Sequence, residues 1–168
     1  MVPAAQHDDV SIGPLAEEVR HLEFLVGTWR GRGNGGYPTM DPFEYGEELT
    51  FDHVGDAFLA YVQRSWLLSD GSPLHFERGF LRPGARPGDL ELTLGHPLGL
   101  TEVSEGRLAN GEITLSTTHV GRTATGMSLV GLVRRYRIDG ASMRYELDMA
   151  TDATPMTRHL TGELGRIV

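Results

Sequence analysis

The sequence predicts a closed antiparallel up-and-down β-barrel of about ten strands, preceded by one short N-terminal helix. Ten stretches rich in β-branched and aromatic residues, many with period-two alternation, recur at intervals of roughly ten residues. Asp70-Gly71, Asn110-Gly111 and Asp139-Gly140 are pairs that accept positive φ in tight hairpins, so neighbouring strands run antiparallel. The chain has 168 residues and 22 glycines scattered without a collagen period. That length suits one compact domain, and the glycine content suits many short strands and turns. A barrel removes unpaired edges and can enclose a small ligand; a two-sheet sandwich is the alternative.

Residues 1–13 are polar and read as a loose N-terminal segment, and residues 14–168 as the single barrel domain. Pro14 opens a helix whose Leu15, Val19, Leu22 and Val26 form one apolar stripe. The strands are expected near 28–37, 43–53, 58–68, 74–82, 89–96, 100–107, 112–120, 126–138, 142–151 and 157–167. In the ninth, Met143, Tyr145, Leu147 and Met149 share one face, which should point inward, with Arg144, Glu146 and Asp148 on the other. The tenth presents a conflict. His159 shares a face with Thr157 and Thr161, and Leu160 lies opposite together with Leu164. An inward His159 leaves both leucines outside, to be covered by the N-terminal helix. Inward leucines put His159 in solvent.

Composition excludes several functions. A net charge of −8 offers no steering toward nucleic acid or anionic lipid. No apolar run approaches the roughly 20 residues needed to span a bilayer as a helix. All 15 cationic residues are Arg, which leaves no lysine for a Schiff base, and the absence of Cys removes disulfides, thiolate metal sites and thiol catalysis. The first residues lack the basic-then-apolar pattern of a signal peptide, which points to the cytoplasm.

The motifs mostly dissolve on inspection. Residues 31–36 fit G-x-G-x-x-G, but Pro38 and Pro42 preclude the helix that a dinucleotide fingerprint needs, and a bent glycine-rich strand is the better reading. His75-Phe76-Glu77 has the H-x-E spacing of zinc deaminases without the cysteines that must accompany it. Hydrolase, zincin and Walker signatures are absent. The remaining polar candidates are the histidines at 7, 21, 53, 75, 96, 119 and 159, most of them expected to be structural or solvated. Met149 reads as a soft cavity wall or as core filler. These residues alone lead to a ligand-binding barrel.

Several blocks resemble the nitrobindin family in the same order. Gly27-x-Trp29-x-Gly31-x-Gly33 matches its G-x-W-x-G-x-G motif. Tyr37-Pro38-Thr39 with Pro42-Phe43-x-Tyr45-x-Glu47-Glu48 and Phe51-x-His53-Val54-Gly55 is similar to the next block. Pro73-Leu74-His75 with Gly79-Phe80-Leu81-Arg82 is similar to the middle one, and Met149-Ala150-Thr151 with residues 155–160 to the last.

The resemblance, over residues 20–168, implies a ten-stranded barrel holding one haem b near its mouth. His159 would be the axial iron ligand and the opposite axial position would be open or held by water. It puts Leu74, His75 and Met149 at the distal or edge region and Thr39 at the haem periphery. Met127 stands where some relatives carry an eighth-strand Lys, with Arg134 or Arg135 as substitutes for its propionate contact. The activity implied is isomerisation of peroxynitrite to nitrate by ferric haem, with nitric oxide binding at the open position. A haem-based nitric oxide carrier or sensor is one alternative. An apo lipocalin-like apolar-ligand carrier is another, and it would use an inward Arg for a carboxylate. The expected partners are peroxynitrite and nitric oxide, with a homodimer also allowed.

Overall fold

A computed structural model describes residues 13–167. Ten antiparallel strands close into a barrel: β1 (Gly27–Tyr37), β2 (Met40–Asp52), β3 (Leu59–Leu67), β4 (Pro73–Pro83), β5 (Asp89–His96), β6 (Leu100–Ala109), β7 (Glu112–Arg122), β8 (Gly131–Asp139), β9 (Ser142–Thr151) and β10 (Thr154–Ile167). Each strand pairs with its neighbours in sequence. Pairing of β1 with β10, from Thr28↔Ile167 to Gly35↔Leu160, completes the circle. The expected loose segment, residues 1–13, lies outside the described residues except for its last.

The turns follow the anticipated chemistry with one displacement. Asn110 and Gly111 both take positive φ, 52° and 75°, as a type I′ hairpin requires. At the next hairpin Asp139 pairs with Ser142, so the turn is Gly140-Ala141, one residue later than expected. Gly140, at φ 56°, supplies the positive φ of its first central position. Strand β8 begins at Gly131 and not at Gly126. Residues 123–127 instead bond toward the β5–β6 turn, with Thr123 N–H donating to Gly99 O and Met127 N–H to Leu98 O. Met127 therefore lies ahead of the eighth strand.

The N-terminal helix, Glu17–Leu25, is 3₁₀ and not α. Three residues per turn align Val19, Leu22 and Leu25, all fully buried, along one edge. The expected stripe through Leu15 and Val26 is only partly buried. The helix closes one end of the barrel. Trp29 Nε1 donates to Leu25 O at 2.8 Å, and the Arg166 guanidinium reaches Val26 O and Phe24 O while stacking over the Trp29 ring.

That location overturns the helix as a cover for outward leucines. In β10, Arg158 pairs with Asp148 and Leu160 with Leu147, so His159 is one extra residue in the ladder. The bulge resets the alternation. Leu160 and Leu164 pair with the inward-facing Leu147 and Met143, Leu164 is buried in the core, and His159 still lines the interior.

Candidate functional site

The barrel end opposite the helix holds a cavity of about 950 Å³, a figure that includes its open mouth. Its wall is largely apolar, with Met40, Phe43, Leu98, Leu100, Leu129, Leu132, Leu147 and Leu160 among its members. His159, His75, Leu74, Met127 and Met149 all line it. Thr39 does not: it stands exposed in the β1–β2 turn beside Met40.

The His159 ring is held from three sides. Its Nδ1 lies 2.9 Å from Gly36 O, so that nitrogen carries the proton and Nε2 is left with its lone pair. Tyr37 and Phe43 meet the ring edge-on, at centroid distances of 5.5 and 6.3 Å. Phe43 fits there because Gly35 has no Cβ, and its ring occupies the space such an atom would need. Burial lowers the His159 pKa below its usual value near 6.5, opposed by the Gly36 hydrogen bond. A neutral imidazole with one committed and one available nitrogen is what a metal-ligating histidine needs.

Beneath the apolar wall lies a polar belt whose members the sequence did not join: Glu77 stood only in a dismissed H-x-E spacing and Arg134 only as a propionate contact. Glu77 from β4, Glu102 from β6 and Arg134 from β8 are all buried. Arg134 donates to Glu77 Oε2 at 2.9 Å and to Glu102 Oε1, and the Tyr61 hydroxyl donates to Glu77 Oε1 at 2.7 Å. Burial alone would raise both carboxyl pKa values. Arg134, with His75 and His96 beside Glu77, outweighs it and holds both low, Glu102 at about 2. Among the described residues Glu47 has no such ion-pair partner, and Arg134 acts on it only weakly. Burial pushes the Glu47 pKa up to about 7, against a hydrogen bond from Gln63 Nε2, and its Oε2 has no hydrogen-bond partner among the described residues.

The signal for this belt was period-two alternation with a polar residue in the inward series. It runs Tyr45-x-Glu47-x-Leu49, Leu90-x-Leu92-x-Leu94-x-His96, Leu100-x-Glu102-x-Ser104 and Leu132-x-Arg134-x-Tyr136. His75 and Glu77 share a face for the same reason. Neither arginine offered as a propionate contact is free. Arg134 is matched by two carboxylates, and Arg135 points outward to Asp148 at 2.7 Å.

Residues 18–166 match the family model described as "THAP4-like, heme-binding beta-barrel domain". The chain belongs to this family. Within the heme-binding barrel family, it is 47% identical over 156 residues to a Mycobacterium avium protein named peroxynitrite isomerase 2, covering 90% of this chain and 96% of that one. A Nocardia farcinica protein named peroxynitrite isomerase is 42% identical, with 90% and 92% covered. Among solved structures, Rv2717c from M. tuberculosis superposes with a TM-score of 0.84 at 41% identity, over 92% of this chain and all of that one.

Proposed function

We propose that this barrel binds one ferric haem b through His159 Nε2 and isomerises peroxynitrite to nitrate. The observation that carries the reading is the preset His159: a neutral imidazole held by Gly36 O, Tyr37 and Phe43, at the wall of an apolar cavity. The donor chemistry fits haem, for which a neutral imidazole nitrogen at an apolar cavity wall is a suitable iron ligand. Non-covalent binding follows from a chain without cysteine, since thioether attachment needs that side chain. The names of the mycobacterial and nocardial relatives support the substrate.

A haem held by His159 would supply a Lewis-acidic iron for the peroxynitrite rearrangement and for nitric oxide binding. The chain's own part is to hold, exclude and confine. Gly36 O keeps the His159 proton on Nδ1. Met149, Leu147, Leu132 and Phe43 line a wall that limits escape of reactive nitrogen species and entry of bulk water. Peroxynitrite and nitrate share one formula and one charge, so the net conversion requires no proton or electron from the protein. A carrier of apolar carboxylates is disfavoured, because the inward Arg134 is already neutralised by Glu77 and Glu102.

Stopped-flow mixing with peroxynitrite tests the activity. Haem-loaded protein should speed decay and raise nitrate yield, and haem-free protein and haem-treated His159→Ala should do neither. Equal decay with loaded protein, unloaded protein and buffer would refute the catalytic reading.

A further inference from the structure

We propose a second site in the same cavity, in which His75, Glu77 and His96 bind one first-row divalent cation of the zinc class. It shares the wall with the proposed haem pocket but uses none of the atoms assigned to iron. His75 Nε2, Glu77 Oε2 and His96 Nδ1 form a triangle whose edges are all 3.3 Å. Zinc lies about 2.0–2.1 Å from nitrogen ligands and at similar distances from carboxylate oxygen. An ion about 2.05 Å from all three corners would see them at roughly 107° to one another, close to tetrahedral. The triangle thus has the dimensions of a three-ligand zinc site, with a fourth position left for water or a small anion.

The surroundings supply what such ligands require. A metal on His96 Nδ1 puts the ring proton on Nε2, which stands 3.3 Å from Glu102 Oε2. Both atoms are buried and otherwise lack hydrogen-bond partners among the described residues. Together they make the carboxylate–histidine–metal relay that orients ligating imidazoles. Glu77 is steadied in the same way, by the Tyr61 hydroxyl on Oε1 and the Arg134 guanidinium on Oε2. Two buried carboxylates against one guanidinium leave a net negative charge, which favours a cation. With a divalent ion the cluster becomes net positive and attracts a small anion to the fourth position.

The register explains how the ligands meet. Arg78 pairs with Gly95, so Glu77 and His96 are the next cross-strand neighbours at the upper end of the β4–β5 ladder, and His75 follows two residues along on the same face.

The test is titration of the full chain, free of any affinity tag and stripped with chelator, with Co²⁺ as a spectroscopic stand-in for zinc. One equivalent should bind with the intense visible absorption of tetrahedral Co²⁺, and Zn²⁺ should displace it. His75→Ala, at a partly exposed position, and Glu77→Gln should weaken binding at least tenfold with the circular dichroism spectrum unchanged. Glu102→Gln should cost about 10- to 100-fold through the relay. His159→Ala should leave Co²⁺ binding intact, which separates this site from the haem reading. Absence of tetrahedral absorption, binding that survives His75→Ala, or binding lost in His159→Ala would overturn the proposal.

Discussion

The two ends of this barrel share the same strands and differ in almost everything else. At the closed end, Val19, Leu22, Leu25 and Trp29 are fully buried, and the polar groups find local backbone partners, as Trp29 Nε1 does with Leu25 O. At the open end, Phe43, Leu132, Leu147 and Leu160 surround unfilled space, and His159 keeps one nitrogen uncommitted. Between them runs the ionised belt of Glu77, Glu102 and Arg134. The contrast teaches that one continuous ladder can concentrate its stability at one end and its chemistry at the other. Substitutions should separate the two properties.

The largest effect on stability should come from the closed end. Leu22→Ala removes a fully buried side chain beneath the barrel and should cost about 2–5 kcal/mol in denaturant unfolding. The variant that remains folded should still bind haem with near-native affinity. Loss of haem binding from folded Leu22→Ala would show that the two ends are coupled.

The belt should respond next, through pH. The folded pKa of Glu47, about 7, lies above its ordinary value of 4.5, so folding takes up a proton between these values. Its stabilising contribution is complete below the unfolded pKa and is lost as pH rises toward 7. Glu47→Gln should abolish that loss and gain about 1–3 kcal/mol over the wild type above pH 7. Unfolding curves from pH 5 to 8 measure it, and parallel profiles for the two proteins would contradict the assignment.

The smallest effect on stability is expected at the open end. His159 is half-buried at an extra position in the ladder, and His159→Ala should change unfolding free energy by less than about 1 kcal/mol. A thermal melt suffices to check it.

The same division governs what could be read from the sequence. The closed end and the strand order were legible because alternation, hairpin pairs and an apolar stripe are local signals. Even so, the helix pitch differed: burial of Val19, Leu22 and Leu25 follows a threefold period that also admits a fourfold reading. At the open end, the two orientations considered for His159 each assumed an unbroken period of two. A bulge inserts one residue and satisfies both sides of the conflict, and nothing in Thr157-Arg158-His159-Leu160 announces it. Haem ligation was suggested by family resemblance, and the supporting Gly36 carbonyl could not be seen in side-chain patterns. The belt was missed for the opposite reason. Glu77 stood only in a dismissed H-x-E spacing, Arg134 only as a propionate contact and Glu102 in no motif, and what joins them is the pairing of strands far apart in sequence.

Haem titration followed through the Soret band, in wild type and His159→Ala and across pH, tests the central claim most directly. The wild type should bind one equivalent with a shifted, sharpened Soret band, and His159→Ala should lose that spectrum while His53→Ala retains it. Because burial holds His159 neutral to lower pH than a free histidine, binding should persist below pH 6.5 and fail only on further acidification, as protons displace iron from Nε2. An unchanged Soret band in His159→Ala, or binding flat into strong acid, would contradict the account.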